Sequence, residues 1–490
     1  MVRFFPFLHT HGMAGIVWSG FVWSVTLICG LVPSAAGESL PNFVVILTDD
    51  QGYGDLGVQG HPTLQTPRLD PMAAEGQRWT DFYAATNVCT PSRAALLTGR
   101  WPVRSGMISD RRWVLTARAA GGLPADEITL AEHLGAAGYA TGAFGKWHLG
   151  DLPQFLPRQN GFDTFSGTPY SNDEIVAEPW RKAFARRDYW NTPLFYNPRS
   201  EYWNIPWIEN DLVVERPVQQ EALTGRTTRA ALDFIRTHRA RPFFVYLAYH
   251  MPHVPLFASE AFRGSTGRGL YGDVMAEVDA GVGEVLDTLR ELGLDRRTLV
   301  VFTSDNGPWT VFRDHGGSAG SLRGDKGPTW EGGNRVPALF WWPGRIPAGS
   351  VVRGIGSHLD LFATFSALAD RPLPNDRPMD SFNLVPTLSG RGASPRETML
   401  YFRGTEVRAV RHREFKTHFV TQDGFGLENP RTEHHEPLLY HLGHDPEERY
   451  NVAPDYPEVV AALSALRETS RAGLTYGADQ LVDQLPVVKE

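Results

Sequence analysis

Five short segments of this sequence carry side chains that could act together on an anionic substrate. Asp49 and Asp50 follow the apolar run Phe43 to Leu47, and Asp305 and Asn306 follow the run Leu299 to Phe302. Ala140 to Phe144 leads into Gly145-Lys146-Trp147-His148, and Phe243 to Ala248 leads into Tyr249-His250-Met251-Pro252-His253. The fifth segment, Cys89-Thr90-Pro91-Ser92-Arg93, opens an expected helix from Pro91 to Thr98 that stops at Gly99. Three carboxylates and one amide offer only oxygen donors, which suits a hard divalent cation, Ca2+ or Mg2+, rather than zinc. Residue 89 falls where helix N–H groups and the helix dipole favour an anion. A lone cysteine there reads either as a small buried hydrophobe or as a nucleophile, and a thiolate is a soft partner for an oxygen-bound Ca2+. No one of these residues, taken singly, names a reaction.

The elements that must position them are legible as alternating strands and helices. The apolar runs are short, continuous and rich in β-branched or aromatic residues, as strands buried on both faces are. Between them, Tyr271 to Leu294 places Val274, Val278, Val282, Val285 and Leu289 on one helical face, and Thr228 to Arg239 forms a shorter helix of the same kind. This alternation over residues 40–390 predicts an α/β fold with a large, mostly parallel sheet flanked by helices. Sites in such sheets form outside the carboxyl ends of the strands, so the four strand ends are expected to converge.

The pattern changes after the Pro-rich turn Arg371 to Pro374 and the break from Gly390 to Pro395. Met399 to Arg403, Val407 to Arg411, Phe415 to Val420 and Leu438 to Leu442 predict a small antiparallel sheet, closed by a helix from Pro457 to Arg471. That second unit is expected over residues 391–476, with residues 477–490 as a tail. The aromatic segment from Tyr189 to Trp207 reads as an ordered loop insertion, either a mini-core of its own or a platform for a sugar or aryl group.

With 490 residues, 42% of them hydrophobic and 21% charged, the chain is large enough for one big core and a smaller module. A net charge of −8 gives no basic field for nucleic acid, so an anionic substrate needs a local cluster of Arg, Lys and His. Residues 1–37 hold one charge, Arg3, and an uncharged run from Ala14 to Val32, followed by Pro33-Ser34-Ala35-Ala36-Gly37. This predicts a signal peptide over residues 1–36 and export to the periplasm or medium, with an uncleaved membrane anchor as the alternative. Removal of that segment takes Cys29 with it and leaves Cys89 with no cysteine to pair.

Cys89-Thr90-Pro91-Ser92-Arg93 with Leu96 and Thr98-Gly99 resembles the first signature of the type I sulfatases, and Gly138 to His148 resembles the second. The similarity runs from Pro41 to Asn451, through Asp49 to Asp55, Thr303 to Gly307 and Gly324-Asp325-Lys326-Gly327. The family belongs to the alkaline phosphatase superfamily. The resemblance implies that a dedicated maturation enzyme oxidises Cys89 to formylglycine, whose hydrated form attacks sulfur with one hydroxyl and expels sulfate with the other. It implies Asp49, Asp50, Asp305 and Asn306 as metal ligands with residue 89 completing the shell. Arg93 and Lys146 would orient residue 89, and His148 would take the proton of the second hydroxyl. Lys326 and Ser171 would hold sulfate, and His253, rather than its neighbour His250, the leaving-group oxygen, with Lys326 or His253 supplying a proton. His435 would reach the site from the second domain. The expected substrate is a sulfated small molecule or glycan. Phosphoryl transfer on the shared sheet, and a silent binder of sulfated glycans, are the competing readings.

Overall fold

The computed structural model describes residues 40–178, 180–185, 188–424 and 429–485. The expected signal segment lies outside them, and among the described residues no helix is long and apolar enough to cross a membrane.

The large sheet contains strands β1 (Asn42–Thr48), β2 (Gln77–Tyr83), β3 (Ala140–Lys146), β4 (Thr164–Thr168) and β5 (Trp207–Glu209). It is completed by β6 (Leu212–Glu215), β7 (Phe243–Ala248), β8 (Thr298–Ser304), β9 (Ala338–Trp341) and β10 (Ser350–Ser357). Their order is β10-β2-β9-β8-β1-β7-β3-β4-β5-β6. The central strands β8, β1, β7, β3 and β4 are mutually parallel, while β9 and β5 run against them. Strand β1 shows why the apolar runs are continuous. Val44 and Ile46 enter one core, with the helices Leu223–His238 and Gly269–Glu291, whereas Phe43, Val45 and Leu47 enter the other, with Cys89–Thr98 and Asp360–Leu368. Every residue of β1 is buried.

Register brings the strand ends level. Leu47 pairs with Ala248 on one side and Thr303 on the other, so the residues that follow all three strands leave the sheet together. Strand β3 approaches β7 closely at Gly145, where a Cβ would lie 1.9 Å from the Ala248 carbonyl oxygen and φ is +100°. Only glycine fits there, and it sets the position of Lys146.

The second sheet is antiparallel, in the order β11 (Thr398–Arg403), β12 (Glu406–His412), β13 (Phe415–Thr421) and β14 (Thr432–His441), with the helix Pro457–Ala472 against β12 and β13. Strand β14 is longer than the expected Leu438–Leu442 because a register shift opposite His418 to Val420 lets it continue pairing. Residues 477–485 are not a free tail. Gly477 N–H donates to Val103 O, Gln480 N–H to Gly106 O and Leu485 N–H to Arg118 O, and Leu481 is fully buried in the large unit's core. The apolar side chain at 481 and unpaired backbone on the large unit hold this segment down.

Candidate active site

The expected helix begins two residues earlier than proline placement suggested, at Cys89, with Val88 as its extended N-cap. Gly99 terminates it in the left-handed conformation, its N–H bonded to Ala95 O. Cys89 therefore stands in the first helical turn, almost wholly buried, over the ends of β1 and β8.

Around it the strand ends converge. Cys89 Sγ lies 3.4 Å from Asp49 Oδ1, 3.9 Å from Asp50 Oδ1 and 3.4 Å from Lys326 Nζ. The Asp50 N–H donates to Asp305 Oδ1 at 3.1 Å, and Asn306 Nδ2 donates to Asp50 Oδ1 at 2.7 Å. Three cations answer the three carboxylates. Arg93 Nε donates to Asp305 Oδ2 at 2.9 Å while its Nη1 donates to Lys146 O at 2.9 Å. Lys146 pairs with Asp49, and Lys326 lies 2.7 Å from Asp50 Oδ1. Both Asp50 and His148 hold left-handed backbones, with φ of 59° and 63°. Non-glycine residues adopt this conformation at a cost that clusters at functional sites.

The electrostatics follow from burial and from which charge each group faces. Burial raises the Asp50 carboxyl to about 7, helped by Asp49 and Asp305 and opposed by Lys326. Burial acts on Asp49 too, but Lys146, Arg93 and Lys326 outweigh it and hold that carboxyl below its ordinary range. The Cys89 thiol is pushed well up by burial, which Lys146 and Lys326 only partly offset. A thiol held protonated is a poor nucleophile.

The donor set fits a hard divalent cation. Asp305 is tied to Asp50 through the Asp50 N–H, and Asn306 Oδ1 is buried with no hydrogen-bond partner, an oxygen that a cation would satisfy. Asp49, Asp50, Cys89 and His253 each place a possible ligand atom within 4.8 Å of the others. Asp50, whose burial outweighs its pairing with Lys326, gains most from a bound cation.

A cavity of about 310 Å³ opens on Cys89. His148, Ser171, His253 and Lys326 line it as the sequence led us to expect. Ser171 Oγ bridges Lys146 Nζ at 3.3 Å and His253 Nδ1 at 3.5 Å. His253 Nδ1–H donates to Val254 O, which leaves Nε2 as a bare acceptor 3.5 Å from Asp50 Oδ2. His148 Nε2–H donates to Leu115 O at 2.8 Å, so its Nδ1 is the unprotonated nitrogen. Burial and the nearby lysines keep both imidazoles neutral, well below the ordinary histidine value. His250 is bonded to Thr168 Oγ1 at 2.7 Å and does not line the cavity.

The structure does not bring His435 here. It is exposed on β14 and absent from the cavity wall. Its pleat alternation and the strand's extension beyond Leu438 carry it outward. Sequence reading missed Asp173 and Glu174, which line the cavity. Burial raises both carboxyls, Glu174 to about 8 with Asp173 beside it. They follow Ser171 at the end of β4, so the strand-end rule that found Asp49 applied there as well. Trp309, whose ring centroid lies 4.2 Å from Lys326 Nζ, was missed too. Of the aromatic insertion, Tyr189 faces the cavity, whereas Phe195, Trp203 and Trp207 are buried in the core. The mini-core reading holds for the buried residues, and Tyr189 is the residue of the segment on the cavity wall.

Residues 41–371 match the Sulfatase family and residues 394–489 the C-terminal region of aryl-sulfatase. The chain is 43% identical to arylsulfatase A of Bos taurus, over 94% of each chain. It is 38% identical to N-acetylgalactosamine-6-sulfatase of Mus musculus, over 92% of this chain and 90% of that protein. The crystal structure of the PsFucS1 sulfatase from Pseudoalteromonas sp. superposes with a TM-score of 0.77 at 27% identity, covering 88% of this chain and 90% of that one. A strand-end site and family matches that span both sheets lead to one conclusion: the chain belongs to the sulfatase family and is a sulfatase.

Proposed function

We propose that this sulfatase hydrolyses an aryl or carbohydrate O-sulfate ester to alcohol and inorganic sulfate, with residue 89 as nucleophile after its conversion to formylglycine. The observation that carries this reading is the state of Cys89: buried, held as a thiol, yet in contact with Asp49, Asp50 and Lys326. A hydrated aldehyde at this position supplies two hydroxyls on one carbon, one to attack sulfur and one whose deprotonation expels sulfate. Asp49, Asp50, Asp305 and Asn306 would hold Ca2+ or Mg2+, which lowers the pKa of a hydroxyl and neutralises charge on the sulfuryl group.

The chain's own residues divide the remaining work. Arg93 is spent on Asp305 and the Lys146 carbonyl, so it braces the site and leaves sulfate to Lys146, Lys326 and Ser171. His148, which lines the cavity and has an unprotonated, unpartnered Nδ1, accepts the proton of the second hydroxyl. Lys326 is the resident proton donor, since burial is outweighed by Asp50 and the site keeps it charged. That proton ends on the leaving oxygen, passed directly or by Nε2 of neutral His253, which accepts it from Lys326 and hands it on. We propose residues 40–390 as the catalytic unit and residues 391–476 as the second, with export directed by the N-terminal segment and maturation by a formylglycine-generating enzyme.

Mass spectrometry of the peptide containing residue 89, from a host with the maturation system, tests the reading. Aldehyde or its hydrate is expected; unmodified cysteine throughout an active preparation refutes it. Cys89→Ala is expected to abolish turnover and keep the fold, because one small buried side chain replaces another. Matched rates on an aryl sulfate and an aryl phosphate decide between sulfuryl and phosphoryl transfer.

A further inference from the structure

Beside the nucleophile cavity lies a second and larger one, of about 550 Å³, that none of the steps above uses. The two share Val88 and Trp113 as a common wall, and the consecutive residues Lys326 and Gly327 open one to each. The Trp113 indole packs against Gly327, where an added Cβ would meet its ring at 2.6 Å, and it stays about one-third exposed at 36%. Opposite the indole, three guanidinium groups come from the small sheet: Arg403, 5.2 Å from the ring centroid, Arg408 and Arg431.

Their partners are unequal. Arg408 and Arg431 share Glu406, each at 2.9 Å, and Arg431 also pairs with Glu433 at 3.1 Å. Asp110, the other acid of the wall, is occupied by the Thr405 N–H and hydroxyl, both at 2.7 Å. Arg403 donates only to carbonyl oxygens, of Gln422 at 2.8 Å and Asp423 at 2.7 Å, and among the described residues no carboxylate pairs with it. Burial and the neighbouring Arg408 draw its pKa down to about 10 against the opposing pull of Asp423, and it stays charged at neutral pH. Of the three guanidinium groups on this wall, Arg403 is the one that no carboxylate pairs with among the described residues.

We propose that this cavity binds a further anionic group, carboxylate or sulfate, of a glycan whose reacting sulfate ester lies at residue 89. A planar guanidinium with no carboxylate paired to it is built for such an oxyanion. The inference rests on residue 89 being the nucleophile and narrows the substrate to a glycan with at least two negative charges.

The Cys89→Ala protein serves as a binding trap in calorimetric titrations with a tetrasaccharide of alternating uronate and sulfated hexosamine. Arg403→Gln is expected to weaken binding by about tenfold or more, the usual weight of a hydrogen bond to a charged group. Arg431→Ala, at an exposed position that cannot unfold the sheet, is expected to weaken it less. Carboxyl reduction of the tetrasaccharide removes the effect of Arg403→Gln if the second anion is a uronate; removal of the non-reacting sulfates removes it if the anion is sulfate. In the protein with Cys89 intact, Arg403→Gln is expected to lower kcat/KM for the tetrasaccharide relative to 4-nitrophenyl sulfate. Unchanged affinity in both arginine variants, or equal affinity for a tetrasaccharide stripped of both anion types, overturns the proposal. Turnover by Cys89→Ala would instead refute the nucleophile, and the two failures are separately visible.

Discussion

Glu331→Gln is expected to be among the most destabilising conservative substitutions available in this protein. Glu331 is completely buried between the two sheets, at the start of the turn Glu331–Asn334. Its carboxylate accepts from the Tyr83 hydroxyl at 2.6 Å, the Tyr401 hydroxyl at 2.7 Å and Lys416 Nζ at 3.0 Å, and lies 3.5 Å from Arg335 Nη1. Lys416 also pairs with Glu448 at 3.0 Å, and Asp81 pairs with Arg335 at 3.1 Å and Arg411 at 2.8 Å. Three acids and three bases thus balance in a dry interface, with Glu331 at the centre. Glutamine has nearly the same shape but removes one negative charge and points an amide N–H2 at groups that are themselves donors. Breaking a buried pair from one side costs about 3–5 kcal/mol, because the partner's charge stays buried and unpaired. Urea unfolding followed by tryptophan fluorescence, fitted with a common slope, measures the loss.

A double substitution discriminates charge balance from shape. Glu331→Gln with Lys416→Met restores neutrality and is expected to be at least about 1 kcal/mol less destabilising than the sum of the single changes. A single-variant loss under about 0.5 kcal/mol, the range of ordinary surface changes, or strict additivity of the pair, would refute the account. The pH dependence carries the same sign. Although burial opposes it, Lys416, Arg411 and Arg335 hold the Glu331 carboxyl far below its ordinary value. A depressed folded-state pKa contributes stability that is complete above the unfolded pKa of about 4.3 and is lost as pH falls below it. The acid limb of the stability profile is therefore expected to be shallower in Glu331→Gln.

Lys326→Ala is expected to lower kcat/KM by about a hundredfold or more, the cost of removing one preorganised charge from a reacting oxyanion. Retained rates on an aryl sulfate would remove it from the site. Exhaustive chelation is expected to abolish activity and lower the melting temperature together, with Ca2+ or Mg2+ restoring both; at a hundredfold excess over Kd, bound metal adds about 2.7 kcal/mol. A melting temperature indifferent to chelator and metal would count against the oxygen-donor site. His133 is buried against Ser366 Oγ at 3.0 Å and faces Arg371, and burial followed by that charge lowers its pKa to about 4. Its neutral form stabilises the fold fully above about pH 6.5, and that contribution is lost as pH falls toward 4, at no more than about 1.4 kcal/mol per pH unit. His133→Gln is expected to flatten the profile in that window, and an unchanged slope would refute the assignment.

What was legible in the sequence divides along a physical line. Asp49, Asp50, Lys146, His148, Asp305 and Asn306 each leave the end of a strand whose apolar run announces it, and parallel register does the rest. Chain direction and the period of the strand fix these side chains in space, so spacing and residue type sufficed. The helix holding Cys89 was recognisable from Pro91 and Gly99, with an error of two residues because Val88, which has no capping side chain, serves as the N-cap. His435 misled for the converse reason. Its place depended on where β14 begins, and that is set by pairing with β13 through a register shift that no local pattern records.

The substrate pocket was less readable because its walls come from loops whose meeting is a tertiary event. Val88, Trp113, Tyr189, Trp309 and Lys326 belong to separate connections, and Arg403 to the other sheet. None of these aromatic residues lies at a period or a spacing that ties it to Cys89. The same division has a consequence for selectivity. The nucleophile and its carboxylates are fixed by buried strand ends, whose geometry is hard to alter without disturbing the core. The walls at Trp113, Tyr189 and Arg403 stand on loops and an outer strand, so substitution there shifts which alcohol is accepted while the strand-end cluster keeps its geometry. An arginine scan of the small sheet read as the ratio of glycan to aryl sulfate turnover should therefore move that ratio more than it moves folding stability, and Arg403 should move it most.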